Sequence, residues 1–117
     1  MPSTLSARVD CLFAFLCACD GRKLSLMLFM VVERFKQGAK PVRERFEQEG
    51  RMLPDDVTYL ASWIEADGAR CFQLMEAPGL ESLCPWLKQW DDLVDFEVTP
   101  VLTSQEFWSQ VSLRESQ

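Results

Sequence analysis

Two acidic residues near the end of the chain are the first candidates for acid–base chemistry. Asp95 and Glu97 lie two apart in the segment 94–102, whose alternating apolar residues predict a strand. Side chains two apart on a strand project from the same face, so both carboxyl groups would enter one cavity if that face were enclosed. Such a pair can separate its pKa values and supply an acid and a base. The alternative is that both groups are solvated or paired with arginines.

A second candidate is an aromatic wall on the predicted strand 57–66. Its alternation places Tyr59, Trp63 and Glu65 on one face, where the rings would stack a flat ligand and the carboxylate would orient it. A plain aromatic core between two subunits explains the same pattern. Arg51, which follows the first predicted helix, is suited to clamp a carboxylate or phosphate, or instead to bond a backbone carbonyl or an acidic neighbour.

Missing residue types and motifs restrict the chemistry further. The chain has no histidine, which removes histidine-activated nucleophiles and histidine-ligated haem. The sequence contains no glycine-rich phosphate loop and no metal-ligand spacing. We therefore expect no metal and no cofactor, and we assign Cys71 and Cys84 to packing.

Length and charge indicate one acidic domain. A chain of 117 residues encloses one core, and 12 basic against 18 acidic residues give a net charge of −6. This charge disfavours nucleic acid and anionic membranes as partners and favours neutral or cationic ligands.

The first 25 residues form an extension that precedes the predicted domain. Residues 11–19 form an apolar run of nine, well short of the roughly twenty needed for a membrane-spanning helix. The surrounding charges run opposite to those of a signal peptide. The five cysteines are odd in number and lack paired CxxC spacing, so we expect reduced thiols in a cytoplasmic protein. Three interpretations stay open: an export signal, an ordered or loosely docked N-terminal helix, and an over-extended translation start, in which case Met27 or Met30 would be the true start. We divide the chain into an extension (1–25), a domain (26–104) and a C-terminal helix with tail (105–117).

Hydrophobic periodicity in the domain predicts six elements. An apolar run predicts a strand buried on both faces, and a helix ending before Gly50 follows. A hairpin at Asp67-Gly68, a helix opened by Pro78, and a last strand complete the order, with a short helix from Gln105. The order is ferredoxin-like βαββαβ, an α+β fold whose four-stranded antiparallel sheet has the order 4132 and carries two helices on one face. The bare, partly aromatic face predicts a homodimer.

Several sequence blocks resemble a bacterial family catalogued as domain of unknown function 3303. The resemblance runs from Met27 to about Ser104, and it is carried by RMLP (51–54), SW (62–63), CFQLME (71–76), DLVDFEV (92–98), Trp86 and Trp90. It implies a ferredoxin-like subunit of the dimeric α/β-barrel type. The family has no established activity, so the resemblance implies a fold and no reaction.

Three functions follow as hypotheses. The first is a homodimer that binds a small organic molecule in a sheet-lined cavity. The second is a cofactor-independent isomerase or monooxygenase, with Asp95 or Glu97 accepting a proton while Tyr59 and Trp63 hold the substrate. The third is a purely structural or regulatory dimer.

Overall fold

A computed structural model describes residues 5–6 and 26–115 of the chain. Its elements, in chain order, are β1 (Leu5–Ser6), β2 (Met27–Phe35), α1 (Ala39–Glu49), β3 (Thr58–Ile64), β4 (Arg70–Ala77), α2 (Leu80–Trp90), β5 (Val94–Val101) and α3 (Ser104–Glu115). From β2 to β5 the order is the predicted βαββαβ, which confirms the ferredoxin-like α+β fold. No helix within the described ranges combines the length and hydropathy needed to cross a membrane.

The strands form one antiparallel sheet in the order β1-β5-β2-β4-β3. Without the two-residue β1, this is the predicted order 4132, with β2 paired on both sides. β1 adds an outer strand, with Leu5 opposite Val98 of β5. The rest of the predicted N-terminal extension lies outside the described residues, so its three interpretations stay predictions.

The main core lies between the sheet and the two helices α1 and α2. Strand alternation supplies Phe29 and Val31 from β2 and Met75 from β4, and α2 adds the predicted apolar stripe, including Leu83 and Trp90. The expectation that β2 is buried on both faces is wrong. Its opposite face, which includes Met30 and Val32, is only half-buried because the helices cover one side of the sheet.

A β-bulge in β3 reverses part of the predicted side-chain alternation. Tyr59 pairs with Met75, whereas Ala61 pairs with Leu74, so Leu60 is an extra residue in the strand. Tyr59 therefore packs against the core on the helix-covered face, while Trp63 lies on the open face. The prediction that these two rings share a face is wrong, because one inserted residue shifts the alternation by one position.

Candidate functional site

The helix α1 stands over a cavity on the helix-covered face of the sheet. The cavity has a volume of about 360 Å³ and lies between α1, the sheet and the tryptophans of α2. None of the residues of α1 is fully buried, so the helix does not fill the space beneath it. Arg45 fastens α1 to the end of α2, where its two terminal nitrogens donate to the carboxylate of Asp92 at 2.8 and 2.7 Å. The described core side chains therefore leave an open space beneath α1.

The cavity wall contains a buried carboxyl group. Glu33 follows Phe29 and Val31 on the buried face of β2 and is only 7% exposed. Gln73, which is 5% exposed on the neighbouring strand β4, donates a hydrogen bond from Nε2 to Glu33 Oε2. Because burial disfavours the charged form, the pKa of Glu33 rises to about 7, although the Gln73 bond and the charge of Arg51 pull it downward. A carboxyl group with such a pKa can donate or accept a proton at neutral pH.

Arg51 completes a chain of polar contacts leading to Glu33. Its Nε donates to Gln73 Oε1 at 3.3 Å, so the Gln73 amide links the guanidinium to the carboxyl group. The guanidinium carbon lies 3.8 Å from the centre of the Tyr59 ring and 5.2 Å from that of Phe46. The carbonyl of Arg51 accepts a hydrogen bond from Trp90 Nε1 at 3.1 Å, which ties the loop to α2. The cation is thus held in place by aromatic faces and one amide.

The rest of the described cavity wall is mostly apolar, and its cysteine thiol is not activated. The buried ring of Trp86 lines the wall and packs against Phe96, with ring centres 5.6 Å apart. The Trp86 indole N–H has no hydrogen-bond acceptor within the described part of the chain. Burial, with a contribution from Glu33, raises the pKa of the Cys71 thiol to about 12, so this thiol stays protonated at neutral pH.

The structure places Asp95 and Glu97 outside this cavity. Both project from the open face of β5 and are exposed, while the alternating Val94, Phe96 and Val98 are buried on the other side. Asp95 lies 3.7 Å from the ammonium of Lys36, and its side chain is 60% exposed. In the isolated chain the two carboxylates are therefore exposed groups on the face opposite α1 and α2.

The predicted ligand-binding residues separate into two groups. Arg51 lines the cavity, and its guanidinium lies over the Tyr59 ring. Trp63 is 54% exposed on the open face. Arg70 donates two hydrogen bonds to the Glu65 carboxylate, from Nε at 3.0 Å and from Nη2 at 2.7 Å. This ion pair lowers the pKa of the Glu65 carboxyl.

Two residues of the site were missed at the sequence level. Glu33 and Gln73 are not among the predicted site residues, although each occupies a core position in the alternation of its strand. Glu33 continues the series Phe29, Val31, and Gln73 stands between Cys71 and Met75. A charged or amide residue at a core position was the signal available in the sequence.

The fold and the site together define a ferredoxin-like α+β domain with a polar cluster buried beneath a helix. A family profile matches residues 27–112, and the chain belongs to that family, Domain of unknown function (DUF3303). This confirms the resemblance described above. No curated protein and no solved structure matches the chain.

Proposed function

We propose that this chain is a small-molecule-binding domain whose ligand occupies the cavity beneath α1. The observation that carries the proposal is the buried pair Glu33 and Gln73 in an otherwise largely apolar cavity. Burying a carboxyl group costs free energy that an apolar residue at the same core position would avoid. Convergent polar groups within an apolar pocket are typical of ligand sites, where they orient the bound molecule. The proposed position differs from the space between two paired sheets that was expected from the sequence.

The size and lining of the cavity favour a compact organic molecule. A volume of about 360 Å³ lies within the usual range of small-molecule pockets. Phe35, Phe46 and Trp86 supply apolar and aromatic contacts, while Glu33 and Gln73 offer hydrogen bonds on one side. A ligand with a flat apolar skeleton and one polar end fits this distribution.

Filling the cavity tests the proposal. We expect the neutral fluorescent probe N-phenyl-1-naphthylamine to bind the wild-type chain, and Val42→Trp to weaken binding at least tenfold, because Val42 lines the cavity. Lys40→Trp adds the same ring at an exposed position of α1 and is the matched control. Absence of probe binding by the folded wild-type chain, or undiminished binding by the Val42 variant, would contradict the proposal.

A homodimer formed through the open face is part of the proposal. That face presents Trp63 together with the half-buried apolar side chains Met30, Val32, Phe72 and Leu74. A second copy would remove this apolar surface from water. Sedimentation velocity of the full chain tests it: a dimer supports the proposal and a monomer at 100 µM protein contradicts it. The cytoplasmic location stays a prediction.

A cofactor-independent enzyme is the second candidate function. Because the pKa of Glu33 is raised, Glu33 is favoured as the proton acceptor over Asp95 or Glu97. In the simplest step, the Glu33 carboxylate takes a proton from a carbon next to a carbonyl group. The C–H bond breaks, the Glu33 O–H bond forms, and the electron pair moves to the carbonyl oxygen as an enolate. The reverse step then returns a proton to the substrate.

Exchange of carbon-bound hydrogen tests this second function. We expect the wild-type chain to accelerate deuterium incorporation into 2-tetralone in D₂O, and Glu33→Gln to abolish the acceleration while probe binding persists. Glu97→Gln is the control on the open face. Equal exchange in the wild type and in Glu33→Gln would exclude Glu33 as the base.

A folded dimer that binds no probe would instead favour the purely structural hypothesis.

A further inference from the structure

We infer that the cavity beneath α1 selects an organic anion, a carboxylate or phenolate on an apolar skeleton, and that the Arg51 guanidinium holds its charge. The inference rests on the proposed function and adds the chemical class of the ligand. It starts from the contrast between Arg51 and the three ion-paired arginines of the domain.

Arg51 has no carboxylate partner among the described residues, and unlike the exposed Arg34, which also lacks one, it is half-buried and lines the cavity. Arg43, Arg45 and Arg70 each form an ion pair, with Glu47, Asp92 and Glu65 respectively. Within the described ranges, Arg51 is hydrogen-bonded through Nε to the neutral Gln73 amide, and its two terminal nitrogens have no hydrogen-bond acceptor. A guanidinium held this way keeps its planar fork available to a carboxylate.

The surroundings of Arg51 hold the cation without neutralising it. The Tyr59 and Phe46 rings stabilise a cation through their faces and carry no net charge. Gln73 bridges Glu33 and the guanidinium, and burial raises the pKa of Glu33 to about 7, so the carboxyl group is neutral below that pH. The cavity wall therefore carries positive charge, and a neutral Glu33 carboxyl adds a hydrogen-bond donor for an anion.

This local charge is opposite to the charge of the whole chain. A net charge of −6 favours neutral or cationic ligands in solution. Inside a partly enclosed, apolar cavity, however, the nearest charge dominates because water screens it less. The apolar rings beside Arg51 would accommodate the skeleton of the anion, so aromatic acids fit the cavity best.

A matched pair of probes tests the inference on the full-length chain. 2-Naphthoate and 2-naphthamide share one skeleton and differ in charge. We expect isothermal titration calorimetry to show at least tenfold tighter binding of the naphthoate. Arg51→Gln should bring the two affinities to within about twofold while amide binding persists, whereas Arg34→Gln, on the open face, should leave the preference unchanged. Arg51→Lys keeps the positive charge but lacks the planar guanidinium, so it should retain an intermediate preference for the naphthoate over the naphthamide.

The outcomes separate the inference from the function on which it rests. Equal affinities of the wild type for the two probes, or an unchanged preference in Arg51→Gln, would overturn the anion inference. If N-phenyl-1-naphthylamine binds while both naphthalene probes fail, the inference is also overturned and the proposed binding function stands. If none of the three probes binds, the proposed function fails and the inference fails with it.

The pH dependence of naphthoate binding gives an independent readout. A bound anion is favoured by a protonated Glu33, so affinity should fall about tenfold from pH 6 to pH 8 in the wild type and stay constant in Glu33→Gln. The groups that face Glu33 keep one charge state over this range. Gln73, Cys71 with its protonated thiol, and Phe96 are the neutral neighbours, Arg51 is the nearby cation, and Trp86 and Arg43 line the same cavity, the latter in an exposed ion pair with Glu47. Affinity that rises with pH would contradict the inference.

Discussion

The two faces of the sheet carry similar side chains in opposite surroundings. On the helix-covered face, Glu33 is almost fully buried and its carboxyl pKa rises to about 7. On the open face, Asp95 and Glu97 have the same acidic chemistry but remain exposed to water. In Glu33, burial rather than spacing along a strand raises the pKa of the carboxyl group toward neutral pH.

The largest difference between the faces is expected in their packing. Met75 is fully buried beneath the helices, whereas its neighbour Leu74 is half-buried on the open face. We expect Met75→Ala to lower the free energy of unfolding by about 4 kcal/mol, because it leaves a cavity in the core. Urea denaturation measures this loss.

Leu74→Ala is the matched comparison for Met75→Ala. Its cost should be smaller at low protein concentration and should grow with concentration if the open face is a dimer interface. Equal, concentration-independent losses for both variants would contradict the distinction between the faces.

The next largest effect concerns the buried carboxyl group. The pKa of Glu33 in the folded state is raised above its ordinary value of 4.5. The contribution of the protonated carboxyl group to the free energy of unfolding is therefore complete below pH 4.5, and it is lost as the pH rises to about 7. Glu33→Gln removes this loss and should be more stable than the wild type at pH 8 by roughly 3 kcal/mol, with little difference near pH 4. Urea denaturation at several pH values checks it.

Glu97→Gln is the control for that prediction, because its carboxyl group is exposed on the open face. We expect its stability to follow the wild type throughout the pH range. A Glu33→Gln variant that is less stable than the wild type at pH 8 would show that Glu33 is charged and well stabilised in the folded state.

A smaller effect is expected on self-association. Trp63→Ala should weaken the proposed homodimer by about 2 kcal/mol, since a large aromatic side chain buried in an interface usually contributes that much. Sedimentation equilibrium gives the dissociation constant. Trp108→Ala removes an equally large exposed ring from α3 and should leave the constant unchanged. A weaker dimer in Trp108→Ala, with an unchanged dissociation constant in Trp63→Ala, would show that the interface does not lie on the open face.

The smallest effect concerns the fastening of α1 over the cavity. Arg45→Ala removes the two-pronged pair with Asp92 and the contact with the Trp90 ring, 5.5 Å away. We expect a loss of about 1 kcal/mol by thermal denaturation. Arg43→Ala, which breaks a pair with Glu47 confined to α1, should cost less. Equal losses would show that Arg45 does not link the two helices.

Most of the fold could be predicted because local patterns and tertiary packing agree. The stripe of α2 is buried as its spacing predicts, and Asp67-Gly68 forms the predicted turn between β3 and β4. The face of Tyr59 could not be predicted, because the bulge at Leu60 leaves no interruption in the alternating sequence.

Less of the candidate site could be predicted, for a physical reason. Arg51 and Tyr59 were selected from the sequence, but their contact depends on how the loop after α1 lies against β3. Glu33 could have been recognised as a carboxyl group at a core position. Its cavity could not, because the open volume depends on how far α1 stands from the sheet.

The most direct test of the account is a ¹³C NMR titration of the glutamate side-chain carboxyl carbons, with and without 2-naphthoate. The account predicts that the Glu33 signal, assigned by its loss in Glu33→Gln, titrates with a midpoint near 7. The bound anion should raise this midpoint further, because it favours the protonated carboxyl group. A midpoint near 4.5, or one that naphthoate does not change, would contradict the claim that this buried carboxyl group belongs to a ligand site.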